Sequence, residues 1–435
     1  MSELQFTFVA NACGIFTGRA GTRLLCDPWL LDGVFDGSWC HYPPLHTTVD
    51  DVRDVDLVFL SHIHPDHFDE RCFDFDPATP ILVLDHGPNF LPRRLEALGY
   101  HNLVTVRDGE TIDWKELRLT LFAPFAKHAF HEAEVGNLID SALLVECGGV
   151  RALNANDNTP TVESARRLAI EHGPIDLAML NYNAAGPYPS CFDNLGEDDK
   201  AAEHARILDQ NVRHLVAVGE VLQPRFLLPF AGAYVLGGDQ HHKNRYLGTT
   251  TWDRCAAALR THDLGATEVV LLREGDTLDV ATGAADRSYR PLDEAEMAAY
   301  IDEHLATRRY PYQLDAVPDA ALLAADLATA ATAMQARWRR FGLRSSWSVV
   351  IELFGRQYQV HPEPVDLGPL DRFEVAGLVA PAPSLHCRLD ERLLRRILDR
   401  RSHWNNAEIG AHIDFVRAPN RYEPDLHSGL QFLHL

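Results

Sequence analysis

Three imidazoles and one carboxylate fall within six residues in the run Ser61-His62-Ile63-His64-Pro65-Asp66-His67-Phe68. Imidazole nitrogen and carboxylate oxygen together suit a borderline divalent ion, or two ions held close to one another. The spacing serves that chemistry. His62 and His64 are two apart, so an extended segment turns both to the same side. Pro65 forbids a continuing helix or ladder and turns the chain. Asp66 and His67 then come round as two further ligands. The chain holds 22 histidines in 435 residues, so no single histidine carries the inference; the fixed offsets do.

The elements around this run are those needed to position it. Val55-Asp56-Leu57-Val58-Phe59-Leu60 is short, apolar and rich in branched residues, and predicts a buried strand that ends where the histidines begin. Open sheets bind ligands at such strand ends. Leu4–Ala10, Ile15-Phe16 and Thr22–Cys26 predict an opening meander that closes on Asp27-Pro28-Trp29. Asp27, at a strand end, could orient a ligand histidine by hydrogen bonding. The next stretch carries Trp29, Phe35 and Trp39. Aromatics in a loop beside a metal site can wall a substrate pocket, and core packing is the alternative.

Further strands are predicted at 81–85, 103–106, 117–122, 141–146, 150–153, 176–179, 216–218 and 226–232, with helices at 90–98 and about 198–212. The strand over 150–153 leads into Asn154-Ala155-Asn156-Asp157-Asn158. Beyond about residue 290 the texture changes. Residues 293–306, 318–341 and 391–401 are helical in period, 347–360 alternates as a hairpin, and 412–416 reads as a strand. This predicts a catalytic domain over 1–285 and a smaller α+β region over 286–435. Within the latter, residues 403–410 are either a contact surface or a helix start packed on the core.

Composition is that of a globular protein with a large core, 46% hydrophobic and 23% charged. The net charge of −22 disfavours nucleic acid and anionic membrane as partners. No basic, apolar leader precedes the first strand, and no apolar run approaches a membrane span. The eight cysteines are scattered with no C-x-x-C, which suits buried thiols in a reducing cytoplasm.

His62-x-His64-x-Asp66-His67 resembles the ligand motif of the metallo-β-lactamase fold superfamily, an αββα sandwich that holds one or two metals at its sheet edge. The resemblance implies a bridging carboxylate at Asp157. It implies another histidine after the strand over 117–122, where His131 is preferred to His128, and a last one after the strand over 226–232, where only His241 and His242 are within reach. A fuller likeness covers about residues 8–260. Cys26-Asp27-Pro28-Trp29 with Phe35 and Trp39, the histidine run, Asn154–Pro160 and Pro229-Phe230-Ala231-Gly232 resemble the catalytic part of the CMP-N-acetylneuraminate hydroxylases. These residues contain no C-x-H and C-x-x-H pair, so the iron–sulfur centre of that family has no ligands here. What remains is similar to the non-haem diiron monooxygenases of platensimycin-type diterpenoid biosynthesis.

That resemblance implies two iron ions and dioxygen, with His62, His64, Asp66, His67, His131 and Asp157 as ligands. It implies C–H hydroxylation of a bulky apolar, diterpenoid-like substrate, free or carrier-linked. Two external electrons are then required, hence a reductase or ferredoxin partner. The other reading is a dinuclear zinc hydrolase acting on an ester, thioester, lactone or phosphodiester, because zinc has no redox chemistry and can only activate water. A non-catalytic binding protein with a vestigial site is the third. Oligomeric state is open, a homo-oligomer included.

Overall fold

The computed structural model describes residues 2–87, 89–126, 140–370 and 383–435. Two seven-stranded sheets lie face to face. The first runs in the order Thr277–Asp279, Leu4–Ala10, Cys13–Gly18, Arg23–Cys26, Leu57–Phe59, Ile81–Leu84, Leu103–Val106. The second runs Glu268–Val269, Phe226–Phe230, Leu177–Asn181, Val150–Asn156, Ala142–Cys147, Leu117–Phe122, Thr111–Trp114. Alternate residues of both sheets meet in one apolar layer, with Phe6, Phe16 and Phe59 from the first against Leu121, Leu143, Met179 and Phe230 from the second. The other faces are covered. Leu91 and Leu95 of the helix Phe90–Ala97 close the first sheet, and the helices Val162–His172, Glu197–Leu222 and Trp252–Leu259 close the second. The architecture is the expected αββα sandwich.

One predicted strand is instead part of a helix. Val216-Ala217-Val218 is no strand; it lies inside the helix Glu197–Leu222. Leu215, Val218, Gly219 and Leu222 are buried along it, at the i, i+3, i+4, i+7 spacing of a helix face. A short β-branched run mimicked a strand because that face lies on a sheet. The helix predicted over 391–401 also ends early, at Leu398, and Arg400 takes the left-handed backbone conformation, φ 60.

Past the last sandwich strand the chain builds a five-stranded sheet from Val365–Pro369, Arg356–His361, Ser348–Leu353, Ser384–Arg388 and Asp414–Ala418. The helix Ala320–Phe341 packs on it, started by the Asp319 carboxylate accepting from the Leu322 amide and ended by left-handed Gly342. Residues 403–410 are a helix start packed inward: Trp404 and Ala407 are buried in the same core as Trp29, Phe35 and Trp39. All eight cysteines are buried and unpaired. Among the described residues no helix is long and apolar enough to cross a membrane.

Candidate metal centre

The histidine run leaves the first sheet directly after Leu57–Phe59. That strand is the parallel neighbour of Arg23–Cys26, so Asp27, at the end of the latter, lies beside Ser61. The second sheet supplies Asp157. Its strand Val150–Asn156 shifts register between Asn154 and Asn156, and Asn156 has a left-handed backbone, φ 40. The Asn156 side chain is tied at both ends, donating to the Ser141 carbonyl at 2.9 Å and accepting from the Asp157 amide at 2.6 Å. Irregularities of this kind re-aim a side chain at a strand end, and here the carboxylate is turned onto the histidines of the opposite sheet.

Two candidate ligand sets result. His62, His64 and Asp157 form one; Asp66, His67 and Asp157 form the other. Within each set the ligand atoms lie within 4.8 Å of one another, and Asp157 belongs to both. His67 Nε2 is 3.4 Å from Asp66 and 3.5 Å from Asp157, buried and without a hydrogen-bond partner among the described residues. A buried polar atom left open in this way is unusual, and a cation shared with the two carboxylates would satisfy it.

The remaining ring atoms fix which nitrogen faces inward. His67 Nδ1 donates to Asp27 Oδ2 at 3.0 Å, which leaves Nε2 for a metal. Asp27 is itself held by the Ser61 amide and hydroxyl, both at 2.8 Å. His62 Nδ1 donates to Ser61 Oγ at 2.9 Å. His64 Nε2 donates to Asn405 Oδ1 at 2.9 Å. In these tautomers His62 Nε2 and His64 Nδ1 face each other at 3.0 Å as two lone pairs, an arrangement that a cation between them resolves. Asn11 donates to Asp66 at 3.1 Å, and Asn181 donates to Asp157 at 2.7 Å. The described residues therefore fit a two-metal centre, with each ligand oriented through its other polar atom.

Charge follows burial and pairing. Burial, with the charges of His67 and His64, holds His62 well below the ordinary imidazole value. Burial alone would lower His67 too, but Asp66, Asp157 and Asp27 outweigh it and hold His67 well above. Asp66 mirrors this: burial raises it, and His67 brings it below the usual carboxylate range. Asp27 stays raised because its full burial exceeds what His67 and Ser61 return.

Five groups at the centre were not assigned from sequence. Asn405, Asn11 and Asn181 carry no local signal, since their partners lie 341, 55 and 24 positions away. Asp140 places Oδ1 3.7 Å from His62 Nε2, and burial pushes its carboxyl up to about 6; its place just before the strand Ala142–Cys147 was the available signal. Tyr234 is buried, with a hydroxyl lacking a hydrogen-bond partner among the described residues. Burial, then the charge of Asp66, raises its phenol.

Of the other predicted residues, none of the described ones joins either ligand set. His241 and His242 lie in the 3₁₀ segment Gly238–Tyr246, with Nδ1 atoms 2.9 Å from the carbonyls of Gly238 and Asp239. They join neither ligand set; their donors serve the local turn. His128 and His131 lie outside the described residues. Phe35 lines a cavity of about 850 Å³ and meets the His64 ring at 5.9 Å. Trp29 and Trp39 do not line it. Trp39 stacks on Tyr234 at 3.4 Å and Trp29 is fully buried in the core, so the packing alternative describes both.

A two-sheet αββα sandwich with His62, His64, Asp66, His67 and Asp157 gathered at its edge defines a metallo-β-lactamase-fold protein. No family model matches the chain. It is 30% identical over 239 residues to a protein of Mycolicibacterium smegmatis named as a Rieske 2Fe-2S iron–sulfur protein, covering 53% of this chain and 43% of that one. It is 26% identical over 264 residues to the mouse cytidine monophosphate-N-acetylneuraminic acid hydroxylase, covering 57% and 42%. The chain thus spans less than half the length of either relative. Among solved structures, CmlA, a diiron β-hydroxylase from Streptomyces venezuelae, aligns with a TM-score of 0.41 at 18% identity, over 62% of this chain and 53% of that one.

Proposed function

We propose that the chain is a non-haem diiron monooxygenase that hydroxylates an unactivated C–H bond of a bulky, largely apolar substrate of the diterpenoid kind. The observation that carries this reading is the pair of ligand sets joined by Asp157, with His67 Nε2 open between two carboxylates. Histidine and carboxylate donors serve iron as well as zinc. The hydroxylase and iron–sulfur names of the relatives favour iron.

Two iron ions bound there would supply the reduction of dioxygen, with electrons from a separate reductase or ferredoxin. The chain's own part is to hold and exclude. Asp27 and Ser61 lock His67, Asn405 locks His64, and Asn181 and Asn11 hold the two carboxylates. Asp157, which belongs to both sets, would offset charge from two cations. The burial of His62, Asp66 and His67 keeps bulk water from the ligands.

Zinc in the same ligand sets would make the protein a hydrolase, the runner-up on this fold. Metal analysis of protein produced in iron-supplemented medium, with a Mössbauer spectrum and oxygen uptake, separates the two. About two coupled irons per chain and substrate-dependent oxygen consumption are expected. Full zinc occupancy, with iron unable to replace it or consume oxygen, overturns the oxygenase.

A further inference from the structure

The 850 Å³ cavity lies between the sandwich edge and the C-terminal region, against the loop that carries His64, since Ile63 and Pro65 both line it. Part of its wall is apolar, from Phe35, Phe68, Phe341 and Phe432. The charged remainder sets Arg71, Arg94, Arg337, Arg340, Arg400 and Arg401 against Asp36, Asp69 and Glu70, a basic excess in a chain of net charge −22.

The arginines of this wall are of two kinds. Some are matched: Arg71 pairs with Asp69 at 2.7 Å, Arg94 with Glu70, and Arg401 with Asp315 at 3.4 Å. Arg337, Arg340 and Arg400 are different. Among the described residues no carboxylate lies within 4.0 Å of any of them. Among the described residues, Arg337 donates to the backbone carbonyls of Phe432 and His434, at 2.8 and 2.9 Å. Arg340 lies over the Phe341 ring at 5.5 Å. Burial, then the neighbouring charge of Arg400, holds the Arg337 guanidinium below its usual range. Burial lowers His434 as well, and both Arg337 and Arg400 add to that effect.

A cation in the last turn of a helix has a structural use, and Arg337 and Arg340 are near the end of Ala320–Phe341. Arg400 has the same use at a second helix end, just past Glu391–Leu398 in a left-handed backbone, φ 60, but that use does not account for two helix ends bringing their cations to one cavity. Like charges brought together at an apolar cavity repel unless an anion completes them. Guanidinium forks match the oxygens of a phosphoryl group and carry the charge to meet a dianion.

We infer that this cavity binds a phosphoryl group of the substrate through Arg337, Arg340 and Arg400, so that the substrate is amphipathic: an apolar reacting part with a phosphorylated tail. The inference rests on the reading of the adjoining metal centre as the place of reaction.

The test measures binding by the metal-loaded full chain, followed by calorimetry and by tryptophan fluorescence, since Trp404 lines the cavity. Hexyl phosphate is the probe, compared with hexanoate and hexanol. Arg400→Gly suits the left-handed backbone while removing the guanidinium, so the fold is retained; Arg340→Gln is the second variant. Arg213→Gln, at an exposed position on the helix Glu197–Leu222, is the control for general charge. Saturable binding of hexyl phosphate is expected, weakened about tenfold or more in each cavity variant and unchanged in the control, with metal content constant. Equal affinity for hexanoate overturns the phosphoryl assignment. Undetectable binding, equal weakening in the control, or binding that depends on the metals but not on Arg400 and Arg340 overturns the site. Binding is read without turnover, so a failed oxygen-uptake experiment and a failed binding experiment reject different statements.

Discussion

His64 and Asn405 are joined by a 2.9 Å hydrogen bond across 341 positions of chain. The sandwich supplies the candidate metal ligand, and the C-terminal region supplies the acceptor that fixes its tautomer. Replacing Asn405 with leucine removes the acceptor while keeping the volume similar. Loss of such an orienting partner costs roughly 10- to 100-fold in metal affinity. Competition with a chromophoric chelator measures it, and an unchanged affinity would sever the C-terminal region from the centre.

Asp157 and Asp66 should not fail alike. Asp157 belongs to both ligand sets and Asp66 to one. Asp157→Asn is expected to leave less than one tightly held metal per chain, and Asp66→Asn to leave about one. Metal stoichiometry after gel filtration distinguishes them. Equal stoichiometry in the two variants would contradict a bridging Asp157.

Metal uptake should tighten as pH rises. A ligand imidazole must be neutral, and in the metal-free protein His67 is held well above the ordinary value of about 6.5 by Asp66, Asp157 and Asp27. Binding therefore displaces a proton, which calorimetry in buffers of different ionisation enthalpy detects. Stability of the metal-free protein follows the opposite sign. The raised pKa of His67 contributes stability that is full below about 6.5 and lost as pH rises through its folded value. The depressed pKa of Asp66 contributes stability present above about 3.9 and lost as pH falls through its folded value. Thermal melts of chelator-treated protein that do not weaken on the alkaline side would reject the His67 part.

Phe192 joins a sandwich loop to the C-terminal sheet. Its ring stacks on Phe415 at 5.1 Å and lies under the Arg417 guanidinium at 4.5 Å. Phe192→Ala should cost about 3–5 kcal/mol, read from denaturant midpoints. A loss below about 1 kcal/mol would mean that the site collapses around the gap.

The centre was legible in the sequence where its chemistry is local. His62, His64, Asp66 and His67 are contiguous, follow an unmistakable buried strand, and need only a turn at Pro65 to converge. Asp27 was legible because it closes a strand whose pattern is plain, and Asp157 because the family resemblance implies a carboxylate at the end of such a strand. Asn405, Asn11 and Tyr234 were not, because their roles exist only once two sheets and a distant helix meet. Trp29 and Trp39 were ambiguous for a related reason: an aromatic loop looks the same whether it walls a pocket or is covered by a later part of the chain. Val216-Ala217-Val218 misled because three branched or small apolar residues match both periods, and only the buried Leu215 and Leu222 on either side show which one wins.

The covered aromatic loop has a consequence for cooperativity. Trp29, Phe35 and Trp39 share one continuous core with Trp338, Trp347 and Trp404, so this segment of the sandwich has no interior of its own. A chain cut near residue 285 would expose these rings to water and lose the partner of His64 together. Heating should accordingly melt both regions in a single calorimetric transition, with van't Hoff and calorimetric enthalpies equal, rather than releasing a folded sandwich first.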